Sequence, residues 1–170
     1  VGVIGHAAGL VLAQHANDYQ LHIANKFKRV PYDAANQLSD FSSWGLSADG
    51  DLKPDVTLPG GMIYSSVNNG EYYMDRGTSM ASPHAAGATA LVKQALKERF
   101  PHLSPEQLQV LVKQMTMSTA IPHVDEETHA YSSVRQQGAG VMDVTAAALG
   151  DLYVTSKDAK SSLTLGNVTD

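Results

Sequence analysis

The sequence predicts an α/β domain, and three observations support this class. Apolar residues at 1–4 are typical of a buried strand, and those around 10–13 are typical of a helix. Residues 19–27 alternate apolar and polar side chains, as a half-buried strand does. One long helix is predicted from Thr78 to about Arg99, with small and apolar side chains on one side. A chain of 170 residues is long enough to form its own core.

Composition and charge exclude several classes of protein. A chain with 43% hydrophobic and 17% charged residues is typical of a globular domain. The net charge of -5, without a basic stripe, argues against nucleic acid as a partner. The longest small or apolar stretch, residues 85–92, is far shorter than the ~20 residues of a membrane helix. Without cysteine, the chain has no disulfide, no thiolate metal site and no cysteine nucleophile.

Two changes in composition predict three parts of the chain. Residues 31–40 are polar and aperiodic, so they form a connector after the first part, residues 1–30. The second part, residues 31–150, contains short strands and turns followed by helices. Alternation returns in residues 151–170, which predicts the start of a β-hairpin. Because residue 1 already lies in a predicted strand, we expect the chain to be a piece of a longer protein, called the parent below.

The ends of the later helices are predicted by local signals. Ser104 is a candidate N-cap, Pro105 occupies the first helical position, and Gln107 completes a capping box. This helix is expected to end near residues 117–118. A short helix is expected at residues 144–149, after a glycine-rich turn.

The first half of the long helix is built of small residues. The segment Ala85–Ala88 leaves little side-chain bulk, which predicts that this half lies in the interior of the domain. A large side chain in place of Gly87 is therefore expected to cost about 1–3 kcal/mol by overpacking.

Ser79, at the start of the long helix, is the candidate nucleophile. Many serines before helices are N-caps, but Thr78 offers a capping hydroxyl one residue earlier. Ser79 is then available for chemistry, and a backbone N–H at a helix start faces a developing oxyanion favourably. Gly77 allows a bound peptide to approach the backbone closely.

The residues around Ser79 resemble the nucleophile motif of the subtilisin-like serine proteases. That motif is Gly-Thr-Ser-Met-Ala-Ser-Pro-His, residues 77–84, followed by an Ala/Gly-rich helix. Four further segments match the family in order and spacing, so that the resemblance covers about residues 39–150. They are residues 41–45, 53–56, 59–61 and 137–141. Leu58 departs from the pattern, since the family usually has Ala there, and we expect altered packing beneath that loop.

The resemblance implies an incomplete subtilisin-like fold of three layers around a mostly parallel sheet. The whole pattern is similar to the cell-envelope proteinases of Gram-positive bacteria, the lactocepin and C5a-peptidase group. In that group a protease-associated domain is inserted into the catalytic domain, and a fibronectin-like domain follows it. Residues 1–30 resemble the tail of such an insert, and residues 151–170 the start of the fibronectin-like domain. The resemblance implies an extracellular, envelope-associated protein.

The resemblance also implies that the partners of Ser79 precede this chain. In the family the triad order is Asp, His, Ser, and a side-chain oxyanion Asn lies before the insert. Three histidines precede Ser79, but none has the family's His-Gly-Thr-His context, and no Asp-Thr-Gly segment is present. These histidines are His6, His15 and His22. The isolated chain is therefore expected to be inactive.

Other histidines and acidic residues are expected to be structural. His84 follows Ser79 by five residues, about 140° around the helix, and is interpreted as a buried, hydrogen-bonded core histidine. Asp55 is interpreted as a carboxylate that holds a loop. Exposure is expected for three loop histidines, His102, His123 and His129.

No metal or cofactor is expected to take part in the chemistry. Asp49, Asp51 and Asp55 surround Gly50, but their spacing is not that of the twelve-residue calcium loop, which favours a solvated turn. The acidic cluster at residues 125–127 is likewise interpreted as a solvated loop. A structural calcium ion elsewhere in the parent is left open.

The leading hypothesis is the nucleophile-bearing part of a secreted serine endopeptidase that acts on proteins or peptides. The alternative is a peptide-binding module, if the parent lacks the triad His or Asp. An α/β-hydrolase esterase is disfavoured because Ala81 stands where that class needs glycine. Substrate preference is not predicted, since the pocket walls of such proteases lie largely before the nucleophile motif.

Overall fold

A computed structural model describes residues 6–15, 17–18 and 35–157. The chain forms two compact units, residues 1–35 and residues 36–170. In the first unit, helix α1 spans His6–Gln14, as predicted from the apolar residues around 10–13. The strands predicted at 1–4 and 19–27 lie outside the described residues. Of the hairpin predicted to begin in residues 151–170, residues 151–157 are described and form no strand, and the rest lies outside the described residues.

A β-hairpin precedes the long helix in the second unit. Strand β1, Ile63–Ser66, pairs antiparallel with strand β2, Tyr72–Asp75. The tight turn between them places Asn69 at φ 64° and Gly70 at φ 74°, a left-handed conformation that these two residue types tolerate. The short strands and the turn predicted for this region are thereby confirmed.

Isolated bridges connect three other extended segments of this unit. Thr57 pairs parallel with Val141, and Val141 pairs antiparallel with Ile121. Among the described residues, the hairpin is the only sheet whose strands pair at more than one residue position. The mostly parallel sheet therefore stays a prediction.

Within residues 76–157, four helices follow the hairpin. They are α2 (Thr78–Arg99), α3 (Pro105–Ser118), α4 (Val134–Gln137) and α5 (Val144–Leu149). The predicted limits of α2, α3 and α5 are confirmed. At the start of α3, the Ser104 hydroxyl accepts the Gln107 N–H at 3.2 Å and the Gln107 side chain accepts the Ser104 N–H at 2.9 Å. The expected capping box is therefore present.

The core of the second unit lies among α2, α3 and α5. Val92 and Leu96 are fully buried and stand one turn apart on α2, so they share the face that meets the other helices. Burying a side chain of this size contributes roughly 1.5–3 kcal/mol. Six further residues complete the buried cluster: Leu108, Leu111, Val112, Met115, Met142 and Ala147.

The first half of α2 is exposed in the described structure of this chain. Its predicted interior position concerns the complete domain of the parent and stays a prediction. Ala86 and Gly87 are exposed, and a Cβ added to Gly87 would have no atom within 4 Å. Leu91 is 61% exposed. The reason is that α3 and α5 pack on the second half of α2, at Val92 and Leu96. Overpacking at Gly87 is accordingly not expected within this chain.

Arg99 ties the end of α2 to the end of α5. Its guanidinium donates to the carbonyl oxygens of Ala148 and Gly150 at 2.8 and 3.1 Å, and to the Asp151 carboxylate at 2.7 Å. Two of these partners are backbone carbonyls at the C-terminal end of a helix, where a cation is favourable. The contact fixes the chain where the second predicted boundary lies.

Candidate active site

Ser79 is the second residue of α2 and is exposed. No hydrogen bond engages its hydroxyl within the part of the chain that the structure describes. The N–H groups of Met80 and Ala81 donate to the Gly77 carbonyl at 3.0 and 3.3 Å. The N–H groups of Thr78 and Ser79 make no such bond among the described residues. Ser79 therefore presents a hydroxyl and a backbone donor together at the positive end of a helix dipole.

The expectation that Thr78 caps this helix is wrong. Gly77 is the N-cap, and no side chain caps the helix. Helical geometry begins one residue earlier than the capping argument assumed, so Thr78 already lies inside the first turn. The conclusion about Ser79 does not depend on that cap, because Ser79 is also inside the helix and its hydroxyl is unengaged among the described residues.

A close backbone contact fixes the start of α2. The Gly77 N–H donates to the Gly60 carbonyl at 2.8 Å. A Cβ on Gly60 would lie 2.6 Å from the Gly77 oxygen and 3.1 Å from the Ala81 Cβ. Gly77 itself has φ 150° and ψ 166°, a region that is open essentially to glycine alone. Both glycines are therefore needed where the chain turns into the helix.

His84 is hydrogen-bonded, as expected, but it is not buried. Its Nδ1 donates to the Pro59 carbonyl at 2.9 Å, and the residue is exposed. Burial was inferred from the interior helix, and the described chain leaves that side of α2 uncovered. No hydrogen bond joins His84 to Ser79. Within the second unit, His84 is thus not a base for Ser79.

The other histidines differ in their surroundings. His102 and His129 are exposed, as expected. His15, in the first unit, is exposed and contacts the Asp18 carboxylate at 3.2 Å. His6 lies in α1 with its side chain outside the described set, and His22 lies outside the described residues. The described part of the second unit contains no histidine that is hydrogen-bonded to Ser79.

His123 was expected to be exposed and is instead half-buried. Its Nδ1 lies 2.7 Å from the Ser132 hydroxyl and its Nε2 lies 2.6 Å from the Asn36 carbonyl oxygen. The neighbouring Gln137 is 3% exposed, accepts the His123 N–H at 2.6 Å and donates to the Ser132 carbonyl at 2.6 Å. Gln137 lies in a segment that matches the family pattern, but nothing in the sequence indicated that its side chain is buried and hydrogen-bonded.

Asp55 holds a loop, as expected. Its carboxylate lies 2.7 Å from the Lys53 ammonium and 3.3 Å from that of Lys113 on α3. Partial burial raises the pKa of Asp55, but the hydrogen bonds and charges of the two lysines outweigh burial and hold the pKa below its ordinary value of 3.8. The Asp55 carbonyl also accepts the Ala139 N–H at 3.0 Å. This arrangement stabilises the loop and leaves no proton-transfer partner.

The lowered pKa of Asp55 makes the stability of this unit depend on pH. A carboxylate whose pKa is lower in the folded state stabilises the fold above the unfolded value, and the contribution disappears as the pH falls through the folded pKa. We expect Asp55→Asn in the parent to unfold at a lower temperature at neutral pH. In strongly acidic buffer the difference should vanish. The effect should be small, because the carboxylate side chain is 36% exposed.

The matched control for Asp55 is Asp49→Asn. Asp49 is exposed and forms no ion pair within the described residues, so its replacement should leave the unfolding temperature unchanged at both pH values. A stability difference between wild type and Asp55→Asn that persists in strong acid would contradict the ionic origin of the effect.

The acidic residues around Gly50 form a solvent-facing turn. Asp49 and Asp51 are exposed, and the Ser47 N–H donates to the Asp51 carbonyl at 2.9 Å. Across the described ranges, no three His, Asp or Glu side chains converge as metal ligands do. A structural calcium ion in the parent stays an expectation.

Comparisons with known proteins agree on one family. A model described as the subtilase family matches residues 19–141. The C5a peptidase of Streptococcus pyogenes is 44% identical over 144 residues, which cover 84% of this chain and 12% of that protein. The PII-type proteinase of Lactococcus lactis subsp. cremoris is 42% identical over 120 residues, covering 66% of this chain and 6% of that protein. The chain therefore spans only a small part of these relatives.

A solved structure was also matched. The patellamide maturation protease PatA is 27% identical, and the match covers 52% of this chain and 30% of that one with a TM-score of 0.40.

Proposed function

Because the chain belongs to the subtilase family, we propose that it is the nucleophile-bearing, C-terminal part of the catalytic domain of a serine endopeptidase. The observation that carries this proposal is Ser79. Its hydroxyl is exposed and free of hydrogen bonds among the described residues, and its backbone N–H lies at the start of a 22-residue helix. The intact parent would hydrolyse peptide bonds through an acyl-enzyme on this residue.

The proposed chemistry assigns two tasks to Ser79. Its Oγ attacks the carbonyl carbon of the peptide bond, and the hydroxyl proton passes to a histidine that we place before this chain. The negative oxygen of the tetrahedral intermediate accepts the Ser79 N–H, whose helix-start position favours that charge. The proton then moves to the leaving amine, and water later releases the acyl group by the same route in reverse.

The proposal extends to the parts of the parent that this chain does not show. The triad His and Asp, the oxyanion Asn and the remaining parallel strands would precede it. Residues 1–30 would end an inserted domain, and residues 151–170 would begin a β-rich domain. We propose an extracellular, envelope-associated protein with protein or peptide substrates and no cofactor for the chemistry. Helices of the described residues are too short or too polar to cross a membrane.

The alternative is a peptide-binding module without catalysis. The observation that supports this alternative is that no histidine in the described part of the second unit is hydrogen-bonded to Ser79. The sequence of the parent before residue 1 separates the two functions. An Asp-Thr-Gly segment and a His-Gly-Thr-His segment there would support the enzyme, and their absence would support the module.

We predict that a fluorophosphonate probe phosphonylates Ser79 in the intact parent. The probe phosphonylates only a serine that has an activating base and an oxyanion site, and mass spectrometry of the digested protein identifies the modified peptide. Ser79→Ala should lose the label. Ser82→Ala is the matched control, because Ser82 is exposed on the same helix and should leave labelling unchanged. Modification of another serine, with activity retained in Ser79→Ala, would show that Ser79 is misassigned.

We also predict that residues 1–170 alone hydrolyse a peptide substrate no faster than their Ser79→Ala variant. Without a base the hydroxyl stays protonated near neutral pH and attacks a carbonyl poorly. The measurement is substrate turnover by the two purified chains side by side. Turnover that depends on Ser79 would mean that a histidine of the chain itself serves as the base, for which His6, His15 and His22 are the candidates.

A further inference from the structure

Two hydrogen bonds join residues 59–60 to the helix that carries Ser79. The Gly77 N–H donates to the Gly60 carbonyl at 2.8 Å, and the His84 Nδ1 donates to the Pro59 carbonyl at 2.9 Å. Gly77 precedes Ser79 by two residues and His84 follows it by five. The two bonds therefore hold adjacent carbonyls of one short segment to points on either side of Ser79.

The acceptor of the His84 hydrogen bond, the Pro59 carbonyl, determines which ring nitrogen is protonated. A carbonyl oxygen only accepts hydrogen bonds, so the Nδ1 of His84 must carry the proton. The neutral Nδ1–H tautomer and the imidazolium both meet this requirement, so the contact does not depend on the protonation of Nε2. The ring nitrogen nearest the backbone is thus fully used by Pro59. His84 therefore anchors the segment through its Nδ1.

The backbone of residues 59–60 packs closely against the start of α2. A Cβ on Gly60 would lie 2.6 Å from the Gly77 oxygen and 3.1 Å from the Ala81 Cβ, so the two backbones touch directly. The Gly77 oxygen in turn accepts the N–H groups of Met80 and Ala81, which flank the far side of Ser79. A shift of residues 59–60 would therefore move the turn that carries the Ser79 hydroxyl and N–H.

We propose that His84 is a positioning residue for Ser79. It holds the Pro59 carbonyl, keeps Gly60 bonded to Gly77, and so fixes the place of the Ser79 hydroxyl and N–H relative to the substrate carbonyl. The proposal rests on the proposed function, since it assumes that Ser79 is the nucleophile. A displacement of about 1 Å in such a constellation costs on the order of 100-fold in rate. Among the described residues His84 makes no hydrogen bond to Ser79, so its effect must pass through Pro59.

Three variants of the intact parent test this proposal. His84→Asn keeps a donor N–H at the same distance from Cβ as Nδ1, whereas His84→Leu keeps the bulk and removes the donor. His84→Gln carries the same amide as asparagine but one bond farther from the backbone. It is used in place of His84→Leu if the leucine variant does not fold. Active-site titration with the fluorophosphonate normalises each rate to the amount of competent enzyme. The readouts are kcat, KM and the rate constant for labelling of Ser79.

We expect His84→Leu to lower kcat and the labelling rate constant about tenfold or more, with KM changed by less than about threefold. His84→Asn should restore both rates to within about threefold of wild type, because it restores the donor. A structural role alone would lower the unfolding temperature and leave normalised kcat unchanged. Wild-type kcat in His84→Leu, or equal losses in the leucine and asparagine variants, would overturn the proposal.

The same experiment separates this proposal from the proposed function. If the wild-type parent is not labelled on Ser79, the proposed function fails whatever the His84 variants do. If Ser79 is labelled and His84→Leu reacts as fast as wild type, the nucleophile assignment stands and only the positioning role fails.

Discussion

Ser79→Ala in the intact parent is expected to lower kcat by about 10⁴–10⁶-fold, with KM little changed. The physical reason is that alanine removes the atom that forms the covalent intermediate but leaves the backbone N–H and the binding surface in place. Residual activity should therefore remain above the uncatalysed rate.

The measurement is steady-state turnover of a peptide substrate by the purified parent. Ser82→Ala is again the matched control, since it removes a hydroxyl from the same exposed helix start and should retain full activity. Thermal unfolding should be unchanged in both variants, because Ser79 makes no hydrogen bond among the described residues that alanine would break. A loss of less than tenfold would show that chemistry proceeds elsewhere.

Gly138→Ala is expected to produce a large loss of stability. Gly138 has φ 63°, where a Cβ is strained, and an added Cβ would collide with the carbonyl oxygens of Pro54 and Asp55. Both oxygens belong to backbone and cannot rotate away as a side chain could. Strain and collision together should cost about 3 kcal/mol or more.

Gly50→Ala is the matched control for this prediction. Gly50 also has a left-handed φ, of 80°, but a Cβ there would have no atom within 4 Å. Alanine at Gly50 should therefore cost only the conformational penalty of about 1–2 kcal/mol. The readout is the temperature at which the heated parent loses Ser79-dependent activity. Equal shifts for the two variants would mean that the contact with residues 54–55 does not constrain Gly138.

Local features of this fold are predictable from sequence because their causes are local. The capping box of Ser104 and Gln107 depends on residues three apart, and the structure contains both of its hydrogen bonds. The limits of α3 and α5 follow from local signals at their ends, whereas the start of α2 has no side-chain cap. Ser79 was also identified locally, from an eight-residue pattern whose meaning came from a known family.

Features that depend on distant partners were not predicted correctly. The face of α2 that is buried is set by where α3 and α5 pack, so the small residues before Leu91 indicated an interior that the described chain does not form. The contact between Gly60 and Gly77 joins residues seventeen positions apart, and no periodicity marks it. Gln137 is polar, so hydropathy could not indicate that it is 3% exposed and hydrogen-bonded on both sides.

The separation between the two ends of α2 has a consequence for evolution and engineering. Ser79 lies in the first turn, and the fully buried Val92 lies thirteen residues later, about 20 Å along the axis. Substitutions that are this far apart usually contribute additively to stability. Replacements at the core end are therefore expected to change stability independently of replacements near Ser79. Directed evolution of the parent could therefore use separate libraries of variants for the two ends of α2.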